Sequence, residues 1–482
     1  MEGSTLIDRT SARQAVVRRW LQELNPFRVA VVGAPSPDAT AVVNAAREQH
    51  AGRRHWAGVL PERLQPSVTQ TPSAADLRHH WDVAFCFDFD AYSPAVAAEI
   101  LRALKRKARF VVTAIPSQGP RAWPRSLRGS LRPLAEQSCA GEDLCLLRGG
   151  ETASSGGGPR VWYLAPNRHI YGGVKILYNH VDILSTLGVN AVLAVEDGVN
   201  WPAQWFPWNP ERLVFGENVR AAVGPDDTVV IPEFRYRDVV HYARAKRRLL
   251  FVQNQGLANG IGEWERLGYD GVLTLGRPDG VPSFLEEFLL RRHCRLPMFA
   301  IPNHFDDDGW QEIEGRKRPG SILCLPRKGP EFVARLVREF GDAVLCVENA
   351  HQLEMAAAYA QADVYVHTGF PEGLGMPIVE SMLAGCVACG FSGGGGLDVM
   401  ADGKTAYLAA DGDMEGLLNA VRRALKGPLR EEVRNAGRRA AMRFDRAAAQ
   451  AALDQCYRRW LPDLPAAKPA KRKSLFAAMM GR

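Results

Sequence analysis

Two glutamates flank a glycine-rich turn in "PEGLGMPIVESMLAGC", residues 371–386. Glu372 and Glu380 stand eight positions apart, with two glycines and Pro377 between them. Because glycine and proline interrupt a continuous helix, we expect Glu372 on a loop and Glu380 in the first turns of the following helix. Pro377 suits the first turn of that helix, where its missing N–H has no intrahelical acceptor.

The turn predicts an anion site with hydroxyl acceptors beside it. An apolar strand, "DVYVHTG" at 363–369, precedes the turn directly. Backbone N–H groups and the positive end of the next helix dipole would therefore face an anion such as a diphosphate. Carboxylates cannot bind phosphate, but they accept hydrogen bonds from the hydroxyls of a sugar or ribose. The residues favour a nucleotide sugar as ligand. Taken singly, Glu372 could instead be a solvated loop acid and Glu380 an acid favoured by the helix dipole.

The same stretch resembles the E-x7-E signature of retaining GT-B glycosyltransferases, the family 4-like, glycosyl transferases group 1 type. The usual form of that signature is close to EGFGLPxxEAMAxG, and the order of elements from about 160 to 460 also fits the family. The pattern is matched by Glu372, Gly373, Gly375, Pro377, Glu380, Met382 and Gly385.

The resemblance implies a role for each part of the turn. Glu372 would bind the hydroxyls of the donor sugar, and Glu380 would bind the ribose. The "CVENAHQLE" stretch lacks the G-x-G of many relatives, so recognition of the base stays unassigned. Donor sugar and phosphate would lie near the backbone of Gly373, Leu374, Gly375 and Met376.

A pair of cations follows an earlier strand, in "CLPRKGPEF" at 324–332. The stretch corresponds to the family's strand, Arg, spacer and Lys-Gly, whose cations bind the diphosphate. Lys328 matches, whereas Arg327 is adjacent to the lysine instead of several residues before it. Because cations stabilise the charge of a departing diphosphate, the implied catalytic residues are Glu372, Lys328 and Arg327. The alternative is a surface Arg-Lys turn.

Residues on the opposite side of the predicted cleft are less specific. Gly172 and Gly173 correspond to the family's first glycine loop and would allow close approach of donor or acceptor. Polar residues 253–255 stand where many relatives place a cleft histidine, which leaves the acceptor contact unassigned. Glu233 ends a predicted strand and either faces this cleft or is a solvated acid.

The fold class predicted is α/β: a GT-B architecture of two Rossmann-like domains facing across a cleft, preceded by an additional α/β domain. A chain of 482 residues exceeds one ordinary core, and strands alternate with helices along it. The last helical stretch, 447–461, would cross back onto the acceptor domain. The predicted parts are an accessory domain (1–150), a Gly/Ser linker (151–158), an N-terminal Rossmann-like acceptor domain (159–300), a C-terminal Rossmann-like donor domain (301–465) and a basic tail (466–482).

The accessory domain resembles the later half of class I methyltransferases over residues 81–117. The place of that family's acidic, glycine-rich cofactor loop reads "VAVVGAPSPDA" at 29–39, with one glycine and two prolines. We therefore expect a degenerate, non-catalytic domain. Asp88 and Asp90 have DxD spacing, but a motif this short occurs readily by chance, so we expect no metal there.

Composition narrows the class of protein. Hydrophobic content is 46%, charged content is 23%, and the net charge of +7 is concentrated in the tail at 466–482. A nearly neutral body argues against nucleic-acid binding, and the tail either is a solubilising segment or contacts anionic lipid weakly. No apolar run is long enough for a membrane helix and no secretory signal is found, so we expect a cytoplasmic protein, at most peripheral at the inner membrane face. Cys386 and Cys389 have CxxC spacing, for which packing in a strand and a metal site are the alternatives.

The predicted function is transfer of a hexosyl group from a nucleotide-sugar donor to an acceptor hydroxyl, with retention of configuration. The donor is a substrate, and neither a cofactor nor a metal is expected. A carbohydrate or lipid-linked acceptor in cell-surface polysaccharide synthesis is what the family suggests. Two alternatives stay open: a nucleotide-sugar 2-epimerase of the same architecture, and a non-catalytic carbohydrate-binding protein derived from a transferase.

Overall fold

Three β-sheets with helices packed against them make up the described part of the chain. Asp88, Asp90, the acidic loop at 306–309 and the tail at 466–482 lie outside the described residues. The computed structural model describes residues 14–22, 28–32, 37–51, 67–71, 81–86, 100–101, 104, 108–116, 135–139, 142–148, 151–152, 159–165, 171–195, 205–206, 212–215, 219–305 and 317–460.

The first sheet has six strands and belongs to the predicted accessory domain. Its elements are β1 (Arg28–Val32), α1 (Pro37–Ala51), β2 (Ser67–Thr71), β3 (Trp81–Cys86), β4 (Ala108–Pro116), β5 (Ala135–Cys139) and β6 (Glu142–Arg148). The strand order is β2-β1-β3-β4-β6-β5, in which β1 to β4 are parallel and β6 runs antiparallel to both of its neighbours. Four strands thus run parallel, as strands that alternate with helices do, whereas β6 is reversed.

Both faces of this first sheet are buried. Val29 and Val31 of β1 belong to one apolar cluster, whereas Ala30 and Val32 belong to another. Successive side chains of a strand point to opposite faces, so a continuous apolar strand requires cover on both sides.

The second sheet is the largest, with eight strands in the order β14-β13-β12-β11-β8-β9-β10-β7. All of its pairs are parallel. Its strands are β7 (Glu151–Thr152), β8 (Val161–Ala165), β9 (Ala191–Val195), β10 (Leu213–Phe215), β11 (Thr228–Pro232), β12 (Arg247–Val252), β13 (Gly271–Gly276) and β14 (Met298–Pro302). Its helices are α2 (Gly172–Thr186), α3 (Val219–Ala222), α4 (Gln255–Ala258) and α5 (Phe284–Arg291), with 3₁₀ segments at Glu233–Tyr242 and Trp264–Arg266.

Local sequence accounts for several elements of this second domain. Strand β8 reads "VWYLA", rich in the β-branched and aromatic residues that favour strands, and all five residues are buried. Helix α5 begins with a capping box, because the Ser283 hydroxyl accepts from Glu286 N–H while the Glu286 carboxylate accepts from Ser283 N–H. The first two residues predicted as linker form β7 and pair with β10, so they belong to the sheet.

The third sheet has five parallel strands in the order β16-β15-β17-β18-β19. The strands are β15 (Ile322–Cys324), β16 (Val344–Cys346), β17 (Val364–His367), β18 (Val387–Phe391) and β19 (Tyr407–Ala409). The helices are α6 (Pro330–Phe340), α7 (Gln352–Gln361), α8 (Met376–Leu383), α9 (Met414–Lys426), α10 (Arg430–Ala441) and α11 (Arg446–Arg458), with 3₁₀ segments at Gly341–Ala343 and Gly395–Asp398.

Helix α11 follows the third sheet in sequence but packs on the second domain. The Tyr457 hydroxyl lies 3.1 Å from the Tyr163 hydroxyl of β8. Arg446 donates to Asp182 of α2 over 2.7 Å. The last helix thus crosses back onto the second domain, as expected, while the acceptor role of that domain stays a prediction.

The predicted fold class is confirmed: the protein is α/β, with two Rossmann-like parallel sheets and an additional N-terminal α/β sheet. Cys386 and Cys389 are buried at β18, and Cys386 Sγ donates to Ala362 O over 3.3 Å, as expected for packing. Within the parts of the chain described above, no helix has the length and apolar character needed to cross a membrane.

Candidate active site

A cavity of about 1020 Å³ lies between the second and third sheets. Its walls come from loops that follow strands of both sheets, which is where open parallel sheets bind ligands. The structure brings every predicted site residue to this one cavity, while the role of each stays a prediction. The residues are Gly172, Gly173, Arg327, Lys328, Glu372, Gly373, Leu374, Gly375, Met376 and Glu380.

The turn before α8 holds Glu372 by its backbone. Glu372 N–H donates to Gly393 O over 2.7 Å, and Gly395 N–H donates to Glu372 O over 3.2 Å. The turn is thus tied to the glycine loop that follows β18. Glu372 precedes α8 and Glu380 lies within it, as the sequence predicts.

Helix α8 starts from a left-handed residue. Gly375 has φ +72°, a conformation that costs a side-chain-bearing residue energy, and Pro377 occupies the first turn. Pro377 carries no N–H and Ile378 N–H donates to Gly375 O over 2.8 Å, so the Met376 N–H and the positive end of the helix dipole are what this first turn can offer an anion in the cavity.

The two halves of the cavity touch at the turn. A Cβ added to Gly373 would lie 1.7 Å from the backbone oxygen of Gln253, which follows β12 of the second sheet. Gly172 approaches the opposing half as well, because a Cβ there would lie 2.5 Å from Met376 Sδ. The group close to Gly172 is thus a side chain of the protein, and the approach of donor or acceptor to this glycine stays a prediction.

Lys328 and Glu372 form an ion pair on the wall of the cavity that the third domain provides. The Lys328 side chain is 38% exposed and the Glu372 side chain 13%, so the pair is in contact with solvent through the lysine. His367 Nε2 lies 3.9 Å from Glu372 Oε1. Burial lowers the pKa of His367, so its imidazole is neutral at pH 7. The Glu372 carboxylate is therefore paired with the Lys328 ammonium group and not with a charged His367.

The loop that carries Lys328 is anchored to the end of β17. The Thr368 hydroxyl donates to Lys328 O over 2.7 Å. Arg327, the neighbouring residue, places its guanidinium carbon 5.0 Å from the centre of the Tyr171 ring, a cation–π distance. Arg327 therefore contacts the second domain while Lys328 contacts Glu372 of the third.

Glu380 is fixed by a buried tyrosine. Tyr359 of α7 donates its hydroxyl to Glu380 Oε2 over 3.0 Å, and Glu380 is 8% exposed. Burial, together with the charge of Glu380, raises the pKa of Tyr359 well above its usual value. Tyr359 is consequently a permanent donor, and it sets the position of one carboxylate oxygen of Glu380.

Glu233 occupies the opposite wall. It follows β11, lines the cavity and is 1% exposed, so its interpretation as a solvated acid is wrong. Gln253 N–H donates to Glu233 Oε1 over 3.1 Å. Burial raises the pKa of Glu233 to about 7, against the opposing effect of backbone N–H groups at 233, 253 and 254.

Asn303 is a cavity residue that the sequence analysis missed. It follows β14 directly, lines the cavity and is 4% exposed. The sequence feature that could have identified Asn303 is the one that pointed to Glu233, namely a polar residue at the carboxyl end of an apolar strand.

Exposed apolar side chains surround the cavity. Tyr171 is 49% exposed, Phe234 45%, Leu257 55% and Phe370 42%, and all four contribute to the lining. The first three belong to the second domain. Large exposed apolar side chains grouped at a cavity mark a contact for a ligand.

The wall of the cavity on the third domain combines the Arg327 and Lys328 cations, the start of α8 and the Glu372 and Glu380 carboxylates. This set can hold a diphosphate, bind hydroxyl groups on either side of it, and stabilise negative charge that develops on the diphosphate. Residues 336–441 match the family model of glycosyl transferases group 1. The matched segment includes the E-x7-E turn and α8, so this part of the chain is a glycosyl transferases group 1 domain, as predicted. The match covers less than half of the chain, and Arg327, Lys328 and the second sheet lie outside it.

Solved structures similar to this chain include the following three. Sucrose-phosphate synthase from Thermosynechococcus elongatus has 15% identity and a TM-score of 0.46, covering 63% of this chain and 100% of its own. HepE from Anabaena, in complex with UDP and glucose, has 15% identity and a TM-score of 0.45, covering 64% and 100%. The catalytic domain of starch synthase IV from Arabidopsis thaliana, bound to ADP and acarbose, has 12% identity and a TM-score of 0.42, covering 63% and 99%. These values assign no activity to the chain. No curated protein matches the sequence.

Proposed function

We propose that this protein is a glycosyltransferase that moves a hexosyl group from a nucleotide-sugar donor to an acceptor hydroxyl, with retention of configuration and without a metal. One observation carries the proposal: Lys328, Glu372 and Glu380 meet at one cavity beside the start of α8. The glycosyl transferases group 1 domain contains both glutamates.

Donor binding would begin with an exchange of partners. The donor diphosphate competes with Glu372 for the Lys328 ammonium group, and the Met376 N–H at the start of α8 donates to another phosphate oxygen. Glu372, released from the lysine, then accepts hydrogen bonds from hydroxyls of the donor sugar. Binding of the diphosphate by Lys328 thus frees Glu372 to position the sugar, so the two binding events are coupled.

The chemical step breaks the bond between the anomeric carbon and the diphosphate oxygen and forms a bond from that carbon to the acceptor oxygen. The departing diphosphate oxygen gains negative charge as its bond to the anomeric carbon breaks, and it takes up the proton that the acceptor hydroxyl loses. Lys328 and Arg327 stabilise that charge, so their contribution is greater in the transition state than with bound donor. Glu380 accepts from the ribose hydroxyls, held in place by Tyr359.

A carbohydrate or lipid-linked acceptor fits the second domain. Tyr171, Phe234 and Leu257 present exposed apolar surface there, suited to the face of a sugar ring or to an alkyl chain. We place the protein in cell-surface polysaccharide synthesis, as a cytoplasmic enzyme. The accessory domain at 1–150 is proposed to be degenerate, so titration of the full chain with S-adenosylmethionine should give no heat of binding.

The test is calorimetric titration with UDP and ADP, followed by turnover of their glucose conjugates. Lys328→Ala should weaken nucleotide binding at least tenfold, and Glu372→Gln should reduce donor turnover at least a hundredfold. Lys404→Ala and Glu415→Gln make the same changes on the exposed surface of the donor domain and should match wild type. Wild-type turnover in either cavity variant, or binding of neither nucleotide, would contradict the proposal.

A 2-epimerase is the second candidate, favoured by Glu233, because such an enzyme needs an acid or base that titrates near neutral pH. Incubation with UDP-N-acetylglucosamine and no acceptor separates the two. An isomerised nucleotide sugar identifies the epimerase, whereas slow hydrolysis without isomerisation identifies the transferase.

A further inference from the structure

Three buried polar side chains line the cavity from the second sheet. Glu233, Gln253 and Asn303 directly follow β11, β12 and β14, and they are 1%, 8% and 4% exposed. The strand order in this part of the sheet is β14-β13-β12-β11. At about 4.8 Å between neighbouring strands, the set covers roughly 14 Å of the sheet edge, the width of one or two sugar rings.

Most of the hydrogen-bonding capacity of this set is unused. Glu233 Oε2, Gln253 Oε1 and both polar side-chain atoms of Asn303 have no hydrogen-bond partner among the described residues. Buried polar groups without partners oppose folding, so unused groups at a cavity wall indicate that a ligand completes them.

The chemistry of the set excludes the diphosphate as that ligand. Glu233 and Gln253 present oxygen atoms, and Asn303 presents one oxygen and one N–H₂ group. These groups suit a ligand whose polar groups both donate and accept, as hydroxyls do. Anion-binding groups, namely Lys328 and the start of α8, lie on the third domain across the cavity.

We propose that Glu233, Gln253 and Asn303 form the acceptor subsite, in which they bind the hydroxyl groups of a pyranoside. This inference rests on the proposed function. Glu233 Oε2 accepts from one hydroxyl while its Oε1 stays on Gln253 N–H. Asn303 both donates to and accepts from a second hydroxyl. The exposed Phe234, next to Glu233, is positioned for the apolar face of the same sugar.

The experiment is saturation-transfer difference NMR on the full chain with saturating UDP. The probes are the methyl α-D-pyranosides of glucose, galactose and mannose. At least one probe should receive saturation from wild type, and the signal should fall at least fivefold in Glu233→Gln and, independently, in Asn303→Ser. Glu287→Gln makes the same chemical change at an exposed position of α5, and it should retain the signal.

Each result decides the matter. No saturation of any probe by wild type, or unchanged signals in both cavity variants, overturns the inference. UDP affinity is measured by calorimetry on the same samples, and agreement with wild type within twofold shows that the variants are folded. Failure of wild type to bind UDP would count against the proposed function, whereas the pyranoside signals would still report on the acceptor subsite.

Discussion

The ion pair between Glu372 and Lys328 contributes little to the free energy of unfolding. Because the Lys328 side chain is 38% exposed, water screens the pair, and such pairs contribute about 0.2–1 kcal/mol. A donor diphosphate can therefore displace Glu372 at small cost. A fully buried pair would resist this exchange.

The first prediction concerns that pair. A double-mutant cycle with Lys328→Gln and Glu372→Gln should give a coupling free energy of about 0.5–1 kcal/mol for unfolding without nucleotide. With saturating UDP the coupling should fall towards zero, since Lys328 is then engaged by phosphate. The measurement is urea denaturation of the four proteins. Equal coupling with and without UDP would contradict the exchange of partners.

The second prediction concerns the Glu233 carboxyl group. Its pKa rises from 4.5 in the unfolded chain to about 7 in the folded protein, because burial disfavours the charge. The contribution of the protonated Glu233 carboxyl to the free energy of unfolding is fully present below pH 4.5. It is lost as the pH rises through about 7, where the folded protein releases this proton. The free energy of unfolding of wild type should thus fall relative to Glu233→Gln, by up to about 3 kcal/mol between pH 4.5 and 8.

Denaturation of both proteins across that pH range checks this, and the difference between them removes every other titrating group. Glu287→Gln is again the matched control, because its parent side chain is 52% exposed. A difference that does not change with pH would show that Glu233 is ionised throughout.

At the scale of elements, the sequence predicted those turns and helix starts that are set by the residues within them. The turn and α8 could be placed because glycine and proline restrict the backbone wherever they occur. The family match to 336–441 confirms the interpretation of that same stretch. Lys328 was assigned to the site of Glu372 through the resemblance to the family, and in the structure both residues follow strands of the third sheet.

The second wall of the site was harder to predict. The burial of Glu233 depends on neighbours from β12 and the α4 region, and nothing within its own segment reveals them. The place of Asn303 in the cavity could not be predicted for the same reason, because its burial depends on residues outside its own segment. The reversal of β6 escaped prediction because an isolated apolar strand carries no signal for its direction.

The third prediction tests contact between the walls. Gly373→Ala would bring a Cβ within 1.7 Å of Gln253 O, and a backbone atom cannot move aside as a side chain does. The cavity must open, so donor turnover should fall at least a hundredfold, with partial loss of stability. Gly262→Ala, where no atom lies within 4 Å of the new Cβ, should leave turnover unchanged. Turnover and thermal unfolding of both variants are the measurements.

At the scale of the molecule, α11 joins two domains that the chain builds in succession. Leu453, Cys456 and Tyr457 on this helix are fully buried. Its first turn is capped by Asp445, whose carboxylate accepts from Ala448 N–H over 2.8 Å. The second domain is thus completed only when the end of the third has been made.

The fourth prediction is that a chain ending at residue 445 loses stability through the second domain. Burying a large apolar side chain contributes about 1.5–3 kcal/mol, and α11 provides two of this size, Leu453 and Tyr457. The truncated chain should unfold at least 10 °C lower by calorimetry. A chain ending at 465 retains α11, removes only the tail and should unfold as wild type does. Equal unfolding temperatures of the two chains would contradict the role of the helix.

The crossing of α11 also determines how the polypeptide could be divided. A break between residues 305 and 317 leaves one piece with the first two sheets and another with the third sheet and α11. The second piece carries the Tyr457 and Arg446 that contact Tyr163 and Asp182 on the first. Co-expressed fragments should reassemble through that helix. If the second fragment is shortened so that it lacks α11, the two fragments should not associate.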